Sequence, residues 1–328
     1  MKRFNNILCV VEPNANSEAA LEQAIRIAKD HQASMTIATT LRTGGALKSI
    51  FKNQSERDQV LSESANKKRN ATDSWVRQYQ PELSVEVDVY AGIGFIEIVK
   101  SVAKHQYDLV VKCADDVDWL DRLFGSDDMH LLRKCPCPVL MLKPGHKEVF
   151  KSVLATVDVN DDFDELDRSH IQDELNEAVL EYSAAFSLAE LTELHIGSAW
   201  EAYGEDFLRY GAFAHMSDEN ADSYEKEAQR ACADRLEFLM TVLTKQLGKD
   251  TLNFLRPKVH LVKGRPAQEI PLMATAYDVD LIVMGTVART GVPGFIIGNT
   301  AEYILGQVQC SVLAIKPEGF ESPILSAQ

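Results

Sequence analysis

Short, branched apolar runs alternate along the chain with longer segments in which apolar residues recur every three or four positions. Ile7 to Val11, Leu109 to Val111 and Val139 to Leu142 are such runs, and unbroken apolar stretches of this length suit strands buried on both faces. Between them, "SEAALEQAIRIAKDH" puts Ala20, Ala24, Ile27 and Ala28 on one helical face behind Ser17, a candidate N-cap. The order strand, helix, strand, helix, strand, helix, strand, loop, helix, strand is read twice. Alternation of this kind predicts a parallel sheet wrapped by helices, with ligands at the carboxyl ends of the strands near the switch in strand order.

The two readings are copies of one another. "YDLVVKCA" at 107 returns as "VDLIVMGT" at 279, and "CPCPVLMLKP" at 135 returns as "VQCSVLAIKP" at 308. "NILCVVEPN" at 6 resembles "SVLATVDVN" at 152, and "YAGIGFIEIV" at 90 resembles "VKGRPAQEIP" at 262. The chain is therefore a tandem duplication with a boundary near "PGHKEV", dividing it into residues 1–146, residues 147–318 and a tail, 319–328. The offset between copies grows from 146 at the first strand to 172 at Gly92 and Gly264. Pairing "TIATTL" (36–41) with "ELHIGS" (193–198) gives 157 between them, so about 11 extra residues precede the second strand of copy two and about 15 follow it.

At 328 residues, with 45% hydrophobic and 25% charged residues, the composition is that of a soluble globular protein of two domains. The apolar run in "MKRFNNILCVVEPN" is too short for a signal-peptide core, and none reaches the length of a membrane span, which points to the cytoplasm. The formal charge of −15 is uneven: residues 1–150 hold 20 basic and 20 acidic residues, so the remainder carries all of it. Such a second half repels nucleic acid and anionic membrane. Six cysteines (9, 113, 135, 137, 232 and 310) lie mostly in apolar runs without zinc spacing, as buried reduced thiols would; a Cys135–Cys137 disulfide would be strained.

The stretch "GTVARTGVPGFIIGNTAE" at 285 leaves the carboxyl end of the fourth strand of copy two and leads into a helical stretch, Tyr303 to Gln307. Asn299 with Glu302 three residues on resembles a capping box, and the N–H groups of that helix start could receive a phosphate. On these residues the chain resembles a tandem universal stress protein of the double-domain E type, over both copies. That family's nucleotide motif is Gly, two residues, Gly, nine residues, Gly and Ser or Thr after the fourth strand, with an aspartate ending the first strand.

Carried onto copy two, the resemblance puts Gly285 at the first motif position, Ala288 at the second, Gly298 at the third and Asn299 at the Ser/Thr position. Asp158 takes the first-strand aspartate, facing the adenosine, and Ile196 packs on adenine. The backbone of Gly285, Gly298, Asn299 and Thr300 faces the phosphates. Ala288 adds a methyl that costs about 1–2 kcal/mol if left-handed geometry is required, so ATP binding is weakened. Arg289 beside the motif is either a bidentate phosphate ligand or a solvated surface arginine. Asp158 is either a ribose ligand or a cap for the following turn.

Copy one departs further. Cys113 and Asp116 replace the first two glycines, the loop is one residue short, and Asp115, Asp116, Asp118, Asp121, Asp127 and Asp128 surround the surviving Gly125–Ser126. Each carboxylate near a phosphate opposes binding by ~1 kcal/mol even in water, and Glu12 replaces the first-strand aspartate. Copy one reads as a non-nucleotide half with a structural or protein-facing role.

The chain lacks GxxxxGK[ST], GxSxG and HExxH, and His130, His195 and His260 are scattered. Cleavage of ATP at its α-phosphate on a related fold would need a Ser-Gly-Gly type loop, which neither "VDVNDD" nor "VEPNAN" supplies. The reading is a non-enzymatic, cytoplasmic stress-response protein, a ligand-responsive module for regulatory protein partners. Its second half binds an adenine nucleotide with Mg and at most slow hydrolysis. The alternative is a sensor of a small, partly apolar metabolite held by Trp200, Tyr203, Phe207, Leu208, Tyr210 and Phe213, which copy one lacks. The resemblance implies two flavodoxin-like α/β domains, each a five-stranded parallel sheet with helices on both faces. It also implies their association through Val139 to Leu142 and Val312 to Ile315 as a pseudo-two-fold pair, with homodimerisation open.

Overall fold

The computed structural model describes residues 3–13, 15–43, 53–79, 85–114, 126–146, 149–160, 166–205, 218–286 and 298–326. Among these, Arg3–Val149 with the residues from Gln309 onward form one compact unit, and the residues from Phe150 to Thr286 with Gly298–Val308 form the other. Both are flavodoxin-like α/β units.

In the first unit, β1 (Asn6–Val10), β2 (Ser34–Arg42), β3 (Val87–Gly92), β4 (Leu109–Cys113) and β5 (Val139–Leu142) lie in the order β3-β2-β1-β4-β5, all parallel. Its helices are α1 (Ala15–His31), α2 (Gln54–Tyr79), α3 (Gly94–His105) and α4 (Asp127–Lys134). Every residue of β4 and β5 is buried, the wholly apolar β5 as its pattern requires and β4 with Lys112 included. The unit also holds β10 (Ser311–Ile315), which runs antiparallel to β5 with Val312 opposite Met141 and Ala314 opposite Val139. The two apolar runs expected to meet do so through backbone hydrogen bonds.

The second unit repeats the plan. β6 (Ser152–Thr156), β7 (Glu193–Trp200), β8 (Lys258–Lys263) and β9 (Leu281–Gly285) pair in parallel in the order β8-β7-β6-β9. They alternate with α5 (Leu166–Glu190), α6 (Asp218–Leu247), α7 (Lys249–Leu255), α8 (Pro266–Ala276) and α9 (Asn299–Leu305). The short α10 (Pro323–Ser326) belongs to the first unit.

Strand register corrects one sequence alignment. Ser34 stands opposite Asn6, and Glu193 opposite Ser152, so the second strands are offset by 159 rather than 157. The extra residues of copy two then divide as 13 before that strand and 13 after it. Ser17 is also not the N-cap expected, because α1 begins at Ala15. Its hydroxyl instead accepts the Glu12 N–H at 2.9 Å, which fixes the chain leaving β1.

The duplication has a structural reason at "YDLVV" and "VDLIV". The Asp108 carboxylate accepts from the N–H groups of Asn5 (2.7 Å) and Asn6 (3.0 Å), and Asp280 accepts from those of Lys151 (2.8 Å) and Ser152 (3.2 Å). In each repeat one aspartate ahead of the fourth strand thus ties down the start of the first, with charge-assisted bonds.

Helix ends are duplicated too. Gln32 and Leu191, 159 apart, and Gln106 and Asp278, 172 apart, are all left-handed, at φ of 47–55°. The residue after each donates back to the helix: Ala33 to Ala28, Thr192 to Ser187, Tyr107 to Val102 and Val279 to Ala274. This is the Schellman arrangement, which glycine fills without strain. Leu191 bears the strain and is also 74% exposed. Leu191→Gly should therefore raise the thermal midpoint, by about 1 kcal/mol in unfolding free energy, measured by calorimetry; an unchanged or lower midpoint would contradict the strain.

Candidate functional site

The second repeat brings two of its sequence-predicted residues, Asp158 and Gly285, to the carboxyl ends of neighbouring strands. β6 and β9 are neighbours, with Thr156 opposite Met284, so Asp158 and Gly285 leave adjacent strands. Asp158 Oδ1 accepts from the N–H and the side-chain amide of Asn160, both at 3.2 Å. Asn176 of α5 accepts the Asp158 N–H at 2.9 Å and donates to its carbonyl at 2.8 Å. Asn160 in turn donates to Ala199 O and accepts from the Glu201 N–H. Asp158 therefore caps its own turn, and the two buried asparagines lock that turn to α5 and to the end of β7.

Gly285 has a packing reason of its own. A Cβ there would lie 2.4 Å from Leu175 Cδ2 and 2.8 Å from Leu175 Cγ, so α5 approaches β9 where only hydrogen fits. Ile196 is fully buried in mid-β7, between Ala155 and Val259. Gly298, not Asn299, is the N-cap of α9, and no side chain caps the helix. Asn299 and Thr300 are exposed in its first turn. Gly298 O accepts the Glu302 N–H at 2.9 Å, the first intrahelical bond, as the carbonyl of an N-cap residue does. Ala288 and Arg289 lie outside the described residues, as do Phe207, Leu208, Tyr210 and Phe213 of the aromatic insertion. Of that insertion's described members, Trp200 is buried and Tyr203 is exposed.

The first repeat holds a cavity of about 360 Å3 at the carboxyl ends of β1, β2 and β4. Its apolar wall is Val10, Phe95, Ile98 and Leu131. Phe95 is fixed by stacking on His130, with centroids 4.6 Å apart, and by Lys134 Nζ at 5.1 Å. Three ion pairs complete the lining. Glu12 Oε2 meets Lys68 of α2 at 2.6 Å, while its Oε1 accepts from the Thr40 N–H (3.1 Å) and hydroxyl (2.8 Å). Arg42 at the end of β2 meets Asp127 at 2.9 Å. Lys112 of β4 meets Asp128 at 2.8 Å, with side chains only 11% and 7% exposed. Asp127 and Asp128 open α4 behind the Ser126 cap, so the chain's own carboxylates stand at the helix start where a phosphate would otherwise be received.

Lys68, Arg42, Thr40 and Phe95 carried no sequence signal. Lys112 did, as a charge inside the apolar run "LVVKCA" whose copy reads "LIVMGT". Asp115, Asp116, Asp118 and Asp121 lie outside the described residues.

Residues 3–143 and 166–316 both match the Universal stress protein family. The chain belongs to that family. Over nearly its whole length it is similar to two E-type universal stress proteins, each 27% identical. The Haemophilus influenzae homolog aligns with 96% of this chain and 98% of its own, and the Escherichia coli K12 protein with 99% and 98%. Two Pseudomonas aeruginosa structures share the fold. A putative universal stress protein is 23% identical with a TM-score of 0.64, covering 98% of this chain and 96% of its own. A protein described as functionally unknown is 22% identical with a TM-score of 0.65, covering 98% and 95%.

This universal stress protein also joins histidines that looked scattered. His195 of β7 is diagonal to His260 of β8, with Nδ1 and Nε2 3.0 Å apart, and both rings stack with Tyr277 at centroid distances of 4.8 and 4.2 Å. His195 Nε2 lies 3.5 Å from Glu193, which pairs with Lys258 at 2.8 Å. One tautomer set fits the row: His260 donates to His195 Nδ1, which puts the other His195 proton on Nε2, the atom nearest Glu193. The cluster is at the amino end of the strands, away from Asp158 and Gly285, and ties edge strand β8 to β7 and α8.

Burial pushes both histidine pKa values below the ordinary 6.5; Glu193 opposes this at His195, whereas His195 and Lys258 reinforce it at His260. A depressed histidine means the unfolded chain binds more protons, so this stabilisation is full above about pH 6.5 and is lost as pH falls through the folded values. The urea midpoint should drop between about pH 7.5 and about pH 5, and His260→Gln should flatten that drop. An equal drop in the variant would assign the dependence to other groups.

Proposed function

We propose that this chain is a cytoplasmic, ligand-responsive regulatory module of the stress response, whose second repeat takes an adenine nucleotide with Mg2+ and does not hydrolyse it efficiently. One observation carries the reading: Asp158 and Gly285 leave the carboxyl ends of neighbouring strands β6 and β9, where ligands of open α/β sheets bind. Asp158 faces ribose hydroxyls, and the first N–H groups of α9 with Arg289 meet phosphate oxygens. Binding is weak for two reasons. Ala288 costs about 1–2 kcal/mol where the motif requires left-handed geometry, and Asp158 must divide its carboxylate between ribose and its own turn. Regulatory proteins read the occupied state, and the two repeats act as a pair.

The test is mass spectrometry of small molecules released from the purified, denatured protein, followed by titration with MgATP. An adenine nucleotide should be recovered from the native chain and lost from Asp158→Ala and Gly298→Val variants that remain folded. Recovery of a non-nucleotide ligand with no MgATP affinity at millimolar concentration would overturn the reading.

A further inference from the structure

We propose that the first repeat is a separate ligand site, for a small zwitterion with an apolar body: the chemistry of a free amino acid with an apolar side chain. The cavity of about 360 Å3 at the ends of β1, β2 and β4 falls in the range of small-molecule sites, about 300–1,000 Å3. It is built entirely from one unit, and its shape is held by ion pairs between different elements: β1 to α2, β2 to α4, and β4 to α4.

The lining selects the charge type. Glu12, Asp127 and Asp128 face Arg42, Lys68 and Lys112, so the formal charge is zero. A polyphosphate would meet three carboxylates, each opposing it by about 1 kcal/mol at 4 Å in water and about 4 kcal/mol at a surface-like dielectric. A simple cation would meet three basic groups. A hydrocarbon would desolvate Glu12 and Thr40 with nothing in return. A molecule carrying both charges is complementary to both. Lys68 Nζ uses one of its three N–H groups, on Glu12, and Arg42 reaches Asp127 through one nitrogen, leaving donors for a carboxylate. Asp127 accepts through Oδ2, and its Oδ1 in the same lining is available to an ammonium. The apolar body then lies against Val10, Phe95, Ile98 and Leu131.

The second repeat serves as an internal control. The places of Lys112 and Asp128 are taken there by Met284 and Ala301, and the same fold forms without the ion pair. The architecture does not require the charged lining, and a buried pair is a poor source of stability.

Calorimetric titration of the full chain tests this, with L-leucine and L-phenylalanine as zwitterions, isocaproate and isoamylamine as single-charge analogues of leucine, and MgATP. One of the two amino acids should bind saturably at one site, at least about tenfold more tightly than its single-charge analogue. Its affinity should fall at least about tenfold in Lys68→Met and in Asp127→Asn. The Asp158→Ala variant should bind it normally, so failure of the nucleotide reading leaves this one standing, and the reverse. Should a variant unfold, the wild-type thermal midpoint must still rise with amino-acid concentration. Absence of saturable binding up to about 10 mM of either amino acid, equal affinity for isocaproate, or competition by MgATP would overturn the proposal.

Discussion

Replacing Lys112 by methionine should destabilise the protein by about 3–5 kcal/mol, and adding Asp128→Ala should recover most of that loss. The single change removes the cation that meets Asp128, whose side chain is 7% exposed, and breaking a buried pair by removing one partner is strongly destabilising. The double change installs the Met284 and Ala301 combination that the second repeat already folds with. Its stability should lie within about 1 kcal/mol of wild type, because replacing a buried ion pair by apolar groups is often neutral. Urea unfolding with a constant m-value measures both. A double variant as unstable as the single would mean that the pair itself contributes net stability.

Gly285→Ala should cost about 1–3 kcal/mol with no ligand present. The added methyl would meet Leu175 at 2.4 Å, within a fully packed interface between α5 and β9. Leu175→Ala removes the obstacle but alone leaves a cavity costing about 2–5 kcal/mol. Combined, the two changes should cost clearly less than the sum of the singles, the mark of residues in contact. Additive losses in thermal unfolding would show that the chain adjusts elsewhere. This motif glycine thus has a packing role that must be subtracted before any loss of nucleotide affinity in a Gly285 variant is read as lost phosphate contact. In the first repeat the same place holds Cys113, whose side chain is accommodated and buried.

The duplication and the alternation of buried parallel strands with helices were legible in the sequence because local pattern and global fold agree there. The second-strand alignment was wrong by two residues for a physical reason. Strand side chains alternate with period two, so a slip from 159 to 157 preserves which residues face the core, and only backbone pairing separates the two. Ser17 and Asn299 were misread as caps because both are good capping residues, yet they are the third and first residues of their helices, where backbone geometry rather than composition sets the boundary. His195 and His260 are 65 residues apart and meet only through β-pairing. The first-repeat cavity was hidden similarly. The loss of nucleotide glycines there was visible, but the ion pairs that replace them join residues 56, 85 and 16 apart in sequence.

The antiparallel seam between β5 and β10 has a consequence in time. About 170 residues separate Leu142 from Ile315, and at about 5–20 residues per second a ribosome needs roughly 10–35 s to make them. Through that interval the first unit has its five parallel strands, yet "VLML" presents a bare, wholly apolar sheet edge, the kind of template on which other chains pair. Stalled or truncated nascent chains ending in the second repeat should therefore be the form of this protein that aggregates and engages chaperones, while the finished chain closes its own edge.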